Sequence, residues 1–580
     1  MQMTAKRFLM ASVLAVCLSG VALAQPYTPV APYEGGINPR PEISSTSIAN
    51  NRVRVNWNGF LGPYKLWRSS NSWATSNLVT SVSSTARQMT YLCPSSVPTN
   101  SEFKVTGPTP KYASAYGRCS TCHSQIARDW VKTPHAEAFD SLIAYGEDEN
   151  TNCLACHTVG YGLSTGYTDA KPYMADVQCE NCHGPVGGHA GKFSTPAVTL
   201  DATMCGGCHE SSDPQNHSTF TEWEEAGHAE VNADFTGATS GFNSNSIAYA
   251  QGRMSTCGFC HSGSVRLALL NKMGALPSGA EASAIGQTCV VCHDPHNEHP
   301  ENGGFHLRNP MTSTNAYNFF TLTPIMATNY SVWPAMGVNK AYNYAYASNN
   351  FWLQYDPSVM ICAQCHNARG AAVMTPTNSA VAQGRPPHHS GQYNMLMGNL
   401  GVWTDAVPPV ATNTTAFQSP HGAKVATQCI QCHMEKELSG QHAEHNFEPS
   451  MTTNTCGTSA CHGTNDPVAI VTATQLDISN RISTVVSVLQ NWAYTKASTN
   501  LIWPRSTNGW EYGTPGSLSS TNNGAVPKST KQTLANLPLA VQEARFNLYL
   551  VAYDSSYGVH NANYARYLLN VASNKVLALP

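Results

Sequence analysis

The 580-residue sequence predicts a mainly α chain with much irregular coil, a small β-sandwich near its start and a helical bundle at its end. Three observations carry that prediction. Eight C-x-x-C-H pentapeptides are spread over 119–433 among loops rich in Asn, Gly, Ser and Pro. Short alternating apolar segments fill 39–110, and beyond residue 471 apolar residues recur at threes and fours. Charged residues are only 12% of the chain and the net charge is −3, with no basic run. That excludes a nucleic-acid binder, which needs cations to neutralise phosphates.

Residues 1–24 have the form of a signal peptide: Lys6 and Arg7, an apolar run, then Ala22-Leu23-Ala24 before Gln25. A lipoprotein reading at Cys17 is disfavoured by Val16, a poor small residue before the cysteine. Residues 25–38 read as a Pro-rich linker. No later stretch reaches 18 uncharged apolar residues, so no transmembrane segment is expected. In 39–110, Val53-Arg54-Val55-Asn56-Trp57, Tyr64-Lys65-Leu66-Trp67, Leu78-Val79-Thr80 and Met89-Thr90-Tyr91-Leu92 alternate between Gly, Pro, Asn and Ser. These read as a β-sandwich. NWNGFLGPYKLWRS resembles a fibronectin type III module, which would serve for docking or as a plain spacer.

Residues 111–470 contain the cysteine pairs. They are Cys119 and Cys122 with His123, Cys153 and Cys156 with His157, Cys179 and Cys182 with His183, and Cys205 and Cys208 with His209. Cys257 and Cys260 with His261, Cys289 and Cys292 with His293, Cys362 and Cys365 with His366, and Cys429 and Cys432 with His433 follow. A ninth, CGTSACH, stretches the spacing by two residues between Cys456 and Cys461 and keeps His462. Chance would yield roughly 0.03 such pentapeptides in this length. Two thiols three residues apart lie on one face of a helical turn, where they can form thioethers with the two vinyls of haem; the next residue brings an imidazole to the iron. Zinc ribbons and disulfides also use paired cysteines, but neither needs His directly after the second. The spacing therefore predicts nine covalent haems c. At the stretched motif a disulfide is the alternative. Cys93 reads as a small buried hydrophobe, with an intermolecular disulfide as the other reading.

Of the 22 histidines nine belong to motifs. The 13 others can supply a second imidazole to every iron, the arrangement suited to outer-sphere electron transfer. His135, His189, His228, His296, His389, His421, His445 and His560 are the favoured distal ligands, with His217 for the ninth; His388 and His442 are close substitutes. Met397 and Met434 read as core filler. His296 follows His293 by three residues and His189 follows His183 by six, too short a span to round the porphyrin rim. Each should ligate a neighbouring haem. Haem would replace side chains as the core here, so long wrapping loops such as 308–358 and 367–420 are expected. In 471–580, Leu476, Ile478, Ile482, Val485, Val486, Leu489 and Trp492 share a helical period, as do 537–553 and 562–576.

The words around the motifs resemble a superfamily of multihaem cytochromes c, the one that includes the tetrahaem electron acceptor of hydroxylamine oxidoreductase. The resemblance covers 112–462 and rests on CSTCHSQIARDWVKTPHAEAF, NCLACHTVGYG, VQCENCHGPVGGH, CGGCHE, EWEEAGHAE and CVVCHDPH. It implies distal-ligand roles for His135, His189, His228 and His296. CAQCHNARG, RPPHHSGQY and SPHGAK resemble ligand blocks of larger members. SSYGVHNANYARYLL resembles the start of the C-terminal helix in multihaem reductases, implying a ligand role for His560. The catalytic C-x-x-C-K of pentahaem nitrite reductases is missing, and spacing cannot reveal a tyrosine crosslink among 25 Tyr.

The expectation is an exported cytochrome, periplasmic or at the cell surface, that carries electrons to redox proteins or extracellular acceptors in respiratory or extracellular electron transfer. Assembly as a homo-oligomer or filament stays open. The alternatives are a multihaem oxidoreductase acting on a small nitrogen or sulfur compound, and an adhesive surface protein with incidental haems. Nine haems with two propionates each add roughly 18 negative charges against at most about nine positive on ferric irons, so basic partners are expected.

Overall fold

A computed structural model of the chain describes the six strands between 42 and 106, residue 112, 116–184, segments within 200–235, 258–270, 277–311, 360–367, segments within 387–403, 418–451 and 456–496, and 509–510 and 537–580. The signal-peptide reading, the linker, Cys93, Cys257, His189, His217, His388, His442 and most of the two long loops lie outside the described residues. The architecture is helix-rich with little strand. It divides into two compact units, residues 1–220 with 295–297, and 221–294 with 298–580.

In the first unit the strands are β1 (Glu42–Ala49), β2 (Arg52–Asn58), β3 (Tyr64–Ser69), β4 (Asn77–Val82), β5 (Gln88–Leu92) and β6 (Glu102–Thr106). They form two antiparallel three-stranded sheets, in the orders β1-β2-β5 and β4-β3-β6. The register pairs Ile48 with Val53 and aligns Thr46, Val55 and Tyr91 across the first sheet. In the second sheet Leu66 is paired with Thr80 and Val105 and is fully buried.

Among the described residues the rest of this unit includes short helices, such as Ser124–Trp130, Ala138–Tyr145 and Thr151–His157. Tyr112, Leu142, Leu154, Val159, Tyr167 and Met174 form a small apolar cluster beside the second motif.

In the second unit the main apolar core is C-terminal. Asp466 caps the helix Pro467–Asn491, accepting from the Val468 N–H at 3.0 Å, and Pro467 occupies the first turn, where its missing donor is harmless. Ile478, Val485 and Leu489 make its buried stripe. The helix Leu539–Tyr553 is buried on nearly every side, and Ala562–Leu577, capped by Asn561, lays Tyr564, Leu568, Ala572 and Val576 into the same core. The periodic stretches at the end of the sequence coincide with these three helices. Asn547 pins the segment around Val402, donating to its carbonyl at 2.9 Å and accepting from its N–H at 2.7 Å. Met397 is buried with Met360, Tyr393 and Leu396, in the core-filling role its composition suggested. Among the described residues no helix is long and apolar enough to cross a membrane.

Candidate functional site

Among the described residues the regular motifs form short helical turns. CLACH ends the helix Thr151–His157, capped by Asn150, while CENCH and CIQCH form the helices Cys179–His183 and Cys429–His433. A backbone bond from the histidine N–H to the carbonyl of the first cysteine closes the turn at 2.9 Å in the motifs of His123, His209 and His293 and at 2.8 Å in that of His366. The stretched motif makes the same bond, His462 to Cys456, at 3.3 Å. The bond that places the imidazole is thus kept in the longer motif.

Among the described residues the motif cysteines are free thiols, not disulfides. Cys456 and Cys461 are not joined to each other, which leaves both available for thioether attachment as the haem reading of the stretched motif requires. The same holds for the second cysteines of the regular motifs, among them Cys122, Cys156, Cys208 and Cys260. Cys122 is exposed, whereas Cys156, Cys208 and Cys260 are half-buried, so the first motif presents its second attachment point on the surface of the polypeptide.

Six motif histidines face a non-motif histidine. In the first unit the ring centres of His135 and His209 are 6.4 Å apart, and those of His183 and His296 are 6.0 Å apart. In the second unit His228 faces His366 at 6.0 Å and His293 faces His445 at 6.3 Å. There too His421 faces His462 at 6.1 Å and His433 faces His560 at 6.3 Å. A metal–nitrogen bond of about 2 Å on each side, with roughly 1.1 Å from ring nitrogen to ring centre, sets two trans-axial imidazoles about 6.2 Å apart. The donor set and its spacing fit a haem iron in each gap. His293 and His296, three residues apart, serve different pairs.

In several of these rings Nδ1 is occupied elsewhere, which leaves Nε2 for the gap. His293 donates to the Phe305 carbonyl at 2.7 Å, His433 to that of Phe447 at 2.9 Å, His421 to that of Val559 at 3.1 Å and His445 to that of Ala443 at 2.6 Å. His157 donates likewise to Ala138 at 2.6 Å. Such bonds fix tautomer and ring orientation. His560 differs: its Nδ1 lies 2.6 Å from a carboxylate oxygen of buried Asp554. Burial, helped by His366, drops the His228 pKa to about 4, and burial likewise holds His421 and His433 below the usual histidine value. A neutral imidazole is the form that binds a metal. Burial also disfavours charge on His560, but the charge and hydrogen bond of Asp554 outweigh it and raise the pKa.

The motifs also approach one another. Thiols of Cys119 and Cys179 are hydrogen-bonded in the first unit, as are those of Cys362 and Cys429 in the second. Cys292 lies near Cys362 and Cys365, and Cys432 near Cys456. The buried Arg266 guanidinium sits near Cys292 and Cys365, donating to Gln364 at 2.9 Å and to the Cys365 sulfur at 3.2 Å, with its central carbon 4.3 Å from the centre of the Phe259 ring.

Of the remaining expected ligands, His389 has its ring stacked on Tyr553 at 3.7 Å. His299 and His306, not favoured as ligands, lie against Asp294, Glu301 and Glu298. Sequence reasoning did not find Asp554, Arg266 or the carbonyl acceptors. The carbonyls carry no side-chain signal, and a lone Asp six residues before His560 has no motif to mark it.

Residues 118–184 match the family described as cytochrome c554 and c-prime. The chain is similar to cytochrome c-554 of Nitrosomonas europaea, 35% identical over 85 residues, which is 12% of this chain and 36% of the relative. It is also similar to the C-type polyheme cytochrome OmcB of Geobacter sulfurreducens, 24% identical over 331 residues, 51% of this chain and 36% of the relative. The chain thus spans little more than a third of the length of these two relatives. Among solved structures, the outer cell wall cytochrome OcwA superposes with a TM-score of 0.46 at 18% identity, over 80% of this chain and 99% of that one.

Proposed function

We propose that the chain is a multihaem c-type cytochrome, as its similarity to cytochrome c-554 and OmcB supports, and that it is an exported electron-transfer protein with nine haems, most of them ligated by two histidines. The observation that carries this reading is the set of six imidazole pairs, each a motif histidine opposite a non-motif one at 6.0–6.4 Å. Bound haem supplies a reversible one-electron couple at each site. Nine cysteine pairs hold the groups covalently, the stretched pair of Cys456 and Cys461 included. The paired imidazoles would hold the iron from both sides and would leave it no open site for a substrate. His189, His217 and His389 supply further distal nitrogens.

Thiol neighbours support an order within the second unit. The motifs ending in His293, His366, His433 and His462 follow one another through Cys292 beside Cys362, Cys362 on Cys429, and Cys432 beside Cys456. Attachment points this close bring porphyrin edges together, the geometry that favours hopping. Export is supported by the basic-then-apolar form of 1–24, and residues 39–110 serve as a fibronectin type III-like docking or spacer module. Segments 111–470 and 471–580 act as the haem domain and its helical closure. Partners are basic redox proteins or extracellular acceptors, so association slows as salt rises.

Carbon monoxide titration of the reduced holoprotein tests the reading. Uptake well below one equivalent per chain is expected. Uptake of one equivalent or more contradicts a closed chain of haems and favours an oxidoreductase.

A further inference from the structure

We infer that Asp554 is a positioning residue that lowers the reduction potential of one haem in the series, the haem attached at Cys429 and Cys432. The inference rests on the proposed ligation of that iron by His433 and His560. His560 alone among the pairs with a described Nδ1 contact places Nδ1 against a carboxylate, Asp554, at 2.6 Å. The rings of His293, His433, His421 and His445 donate instead to neutral backbone carbonyls.

Asp554 is 2% exposed, so its charge acts in a medium of low permittivity. It also stands where a carboxylate is not wanted for folding. As the C-cap of Leu539–Tyr553 it meets the negative end of the helix dipole, which disfavours an anion. Ser556 holds it in place, donating its hydroxyl to the second carboxylate oxygen and accepting from the His560 N–H at 3.3 Å. The turn between them is strained to bring these groups together, with Ser555, Tyr557 and Gly558 all at positive φ. A carboxylate that takes the Nδ1 proton partway makes Nε2 a stronger donor, and added negative charge favours the ferric over the ferrous state. The two effects have the same sign. At the neighbouring motif reached through Cys456, the distal histidine His421 sets its Nδ1 against the neutral Val559 carbonyl instead. The haem between His433 and His560 therefore forms a low-potential step within the series.

The test is a spectroelectrochemical titration of the holoprotein. Asp554→Asn keeps an oxygen for Nδ1 and removes the charge. One couple should move up by at least about 59 mV for one electron, a tenfold fall in its oxidised-to-reduced ratio at fixed potential, with haem count and low-spin spectrum retained. Ser556→Ala frees the carboxylate to accept more strongly and should move the same couple down. Asp477→Asn, on the protein surface, should move none. Unchanged potentials in Asp554→Asn, or a rise in Ser556→Ala, overturn the inference, and Ser556→Ala decides alone if Asp554→Asn does not fold. His560→Ala separates the two levels of the argument. If it leaves every haem low-spin, the ligand pair itself is wrong and the inference falls with it; if one haem turns high-spin and Asp554→Asn still shifts nothing, only the inference fails.

Discussion

Replacing His296 by Ala removes one imidazole from a pair whose rings are 6.0 Å apart, leaving His183 as sole axial donor. Alanine's methyl cannot span a gap that a nitrogen closes at about 2 Å from the metal. The protein should keep all its covalent haems, because Cys179, Cys182 and His183 are untouched. One iron in nine should pass from low to high spin, so roughly 11% of the low-spin absorbance is lost. Magnetic circular dichroism of the ferric protein measures that fraction. The affected haem is the one at Cys179 and Cys182, although His296 lies only three residues from the motif at Cys289 and Cys292. His445, which faces His293 at 6.3 Å, supplies the control. His296→Ala and His445→Ala combined should lose two ninths, whereas two ligands of a single iron would lose one. Substituting His299, held by Asp294 and Glu301, should change no spectrum. A His296→Ala protein with an unaltered low-spin signal would refute the reasoning.

Three further outcomes follow from the C-terminal core. Gly558→Ala puts a Cβ 2.6 Å from Ile478 Cγ1 at a residue whose φ is +94°, so the turn carrying His560 must move; a high-spin signal matching that of His560→Ala is expected. Tyr564→Phe removes a hydroxyl that donates to the Leu400 carbonyl at 2.6 Å and accepts from the Trp403 indole at 3.1 Å. With both partners stranded it should cost ~1–3 kcal/mol, read as a lower guanidinium midpoint. The Arg566 and Arg481 guanidinium groups hold Asp477 below the ordinary carboxylate pKa. Their contribution is present above about pH 4 and lost as pH falls through the depressed value. Asp477→Asn should flatten that acid limb and, for a pair one third exposed, change neutral stability by under ~1 kcal/mol.

What could be read from sequence follows from what the chemistry demands of neighbouring residues. Thioether attachment needs two thiols and an imidazole within one turn, so Cys119, Cys122 and His123 and their seven equivalents are visible as words. Even the stretched motif keeps its closing bond from His462 to Cys456. The C-terminal helices are visible because Ile478, Val485 and Leu489 must share a stripe. Pairing is different. His228 and His366 meet through tertiary structure alone, and nothing local in either segment names the other. The short span from His293 to His296 excluded a shared iron but could not say that His183 would be the partner. Asp554 was invisible for a related reason: its meaning lies in burial and in one contact with His560, and neither is periodic or contiguous.

The central claim is a chain of bis-histidine haems, and the most direct test is a count. Near-infrared magnetic circular dichroism of the fully oxidised protein, calibrated against total haem by pyridine haemochromogen, gives bis-imidazole haems per chain. Nine haems in total, at least six of them bis-imidazole, is the result predicted by the six pairs at 6.0–6.4 Å. Fewer than six bis-imidazole haems would contradict the account.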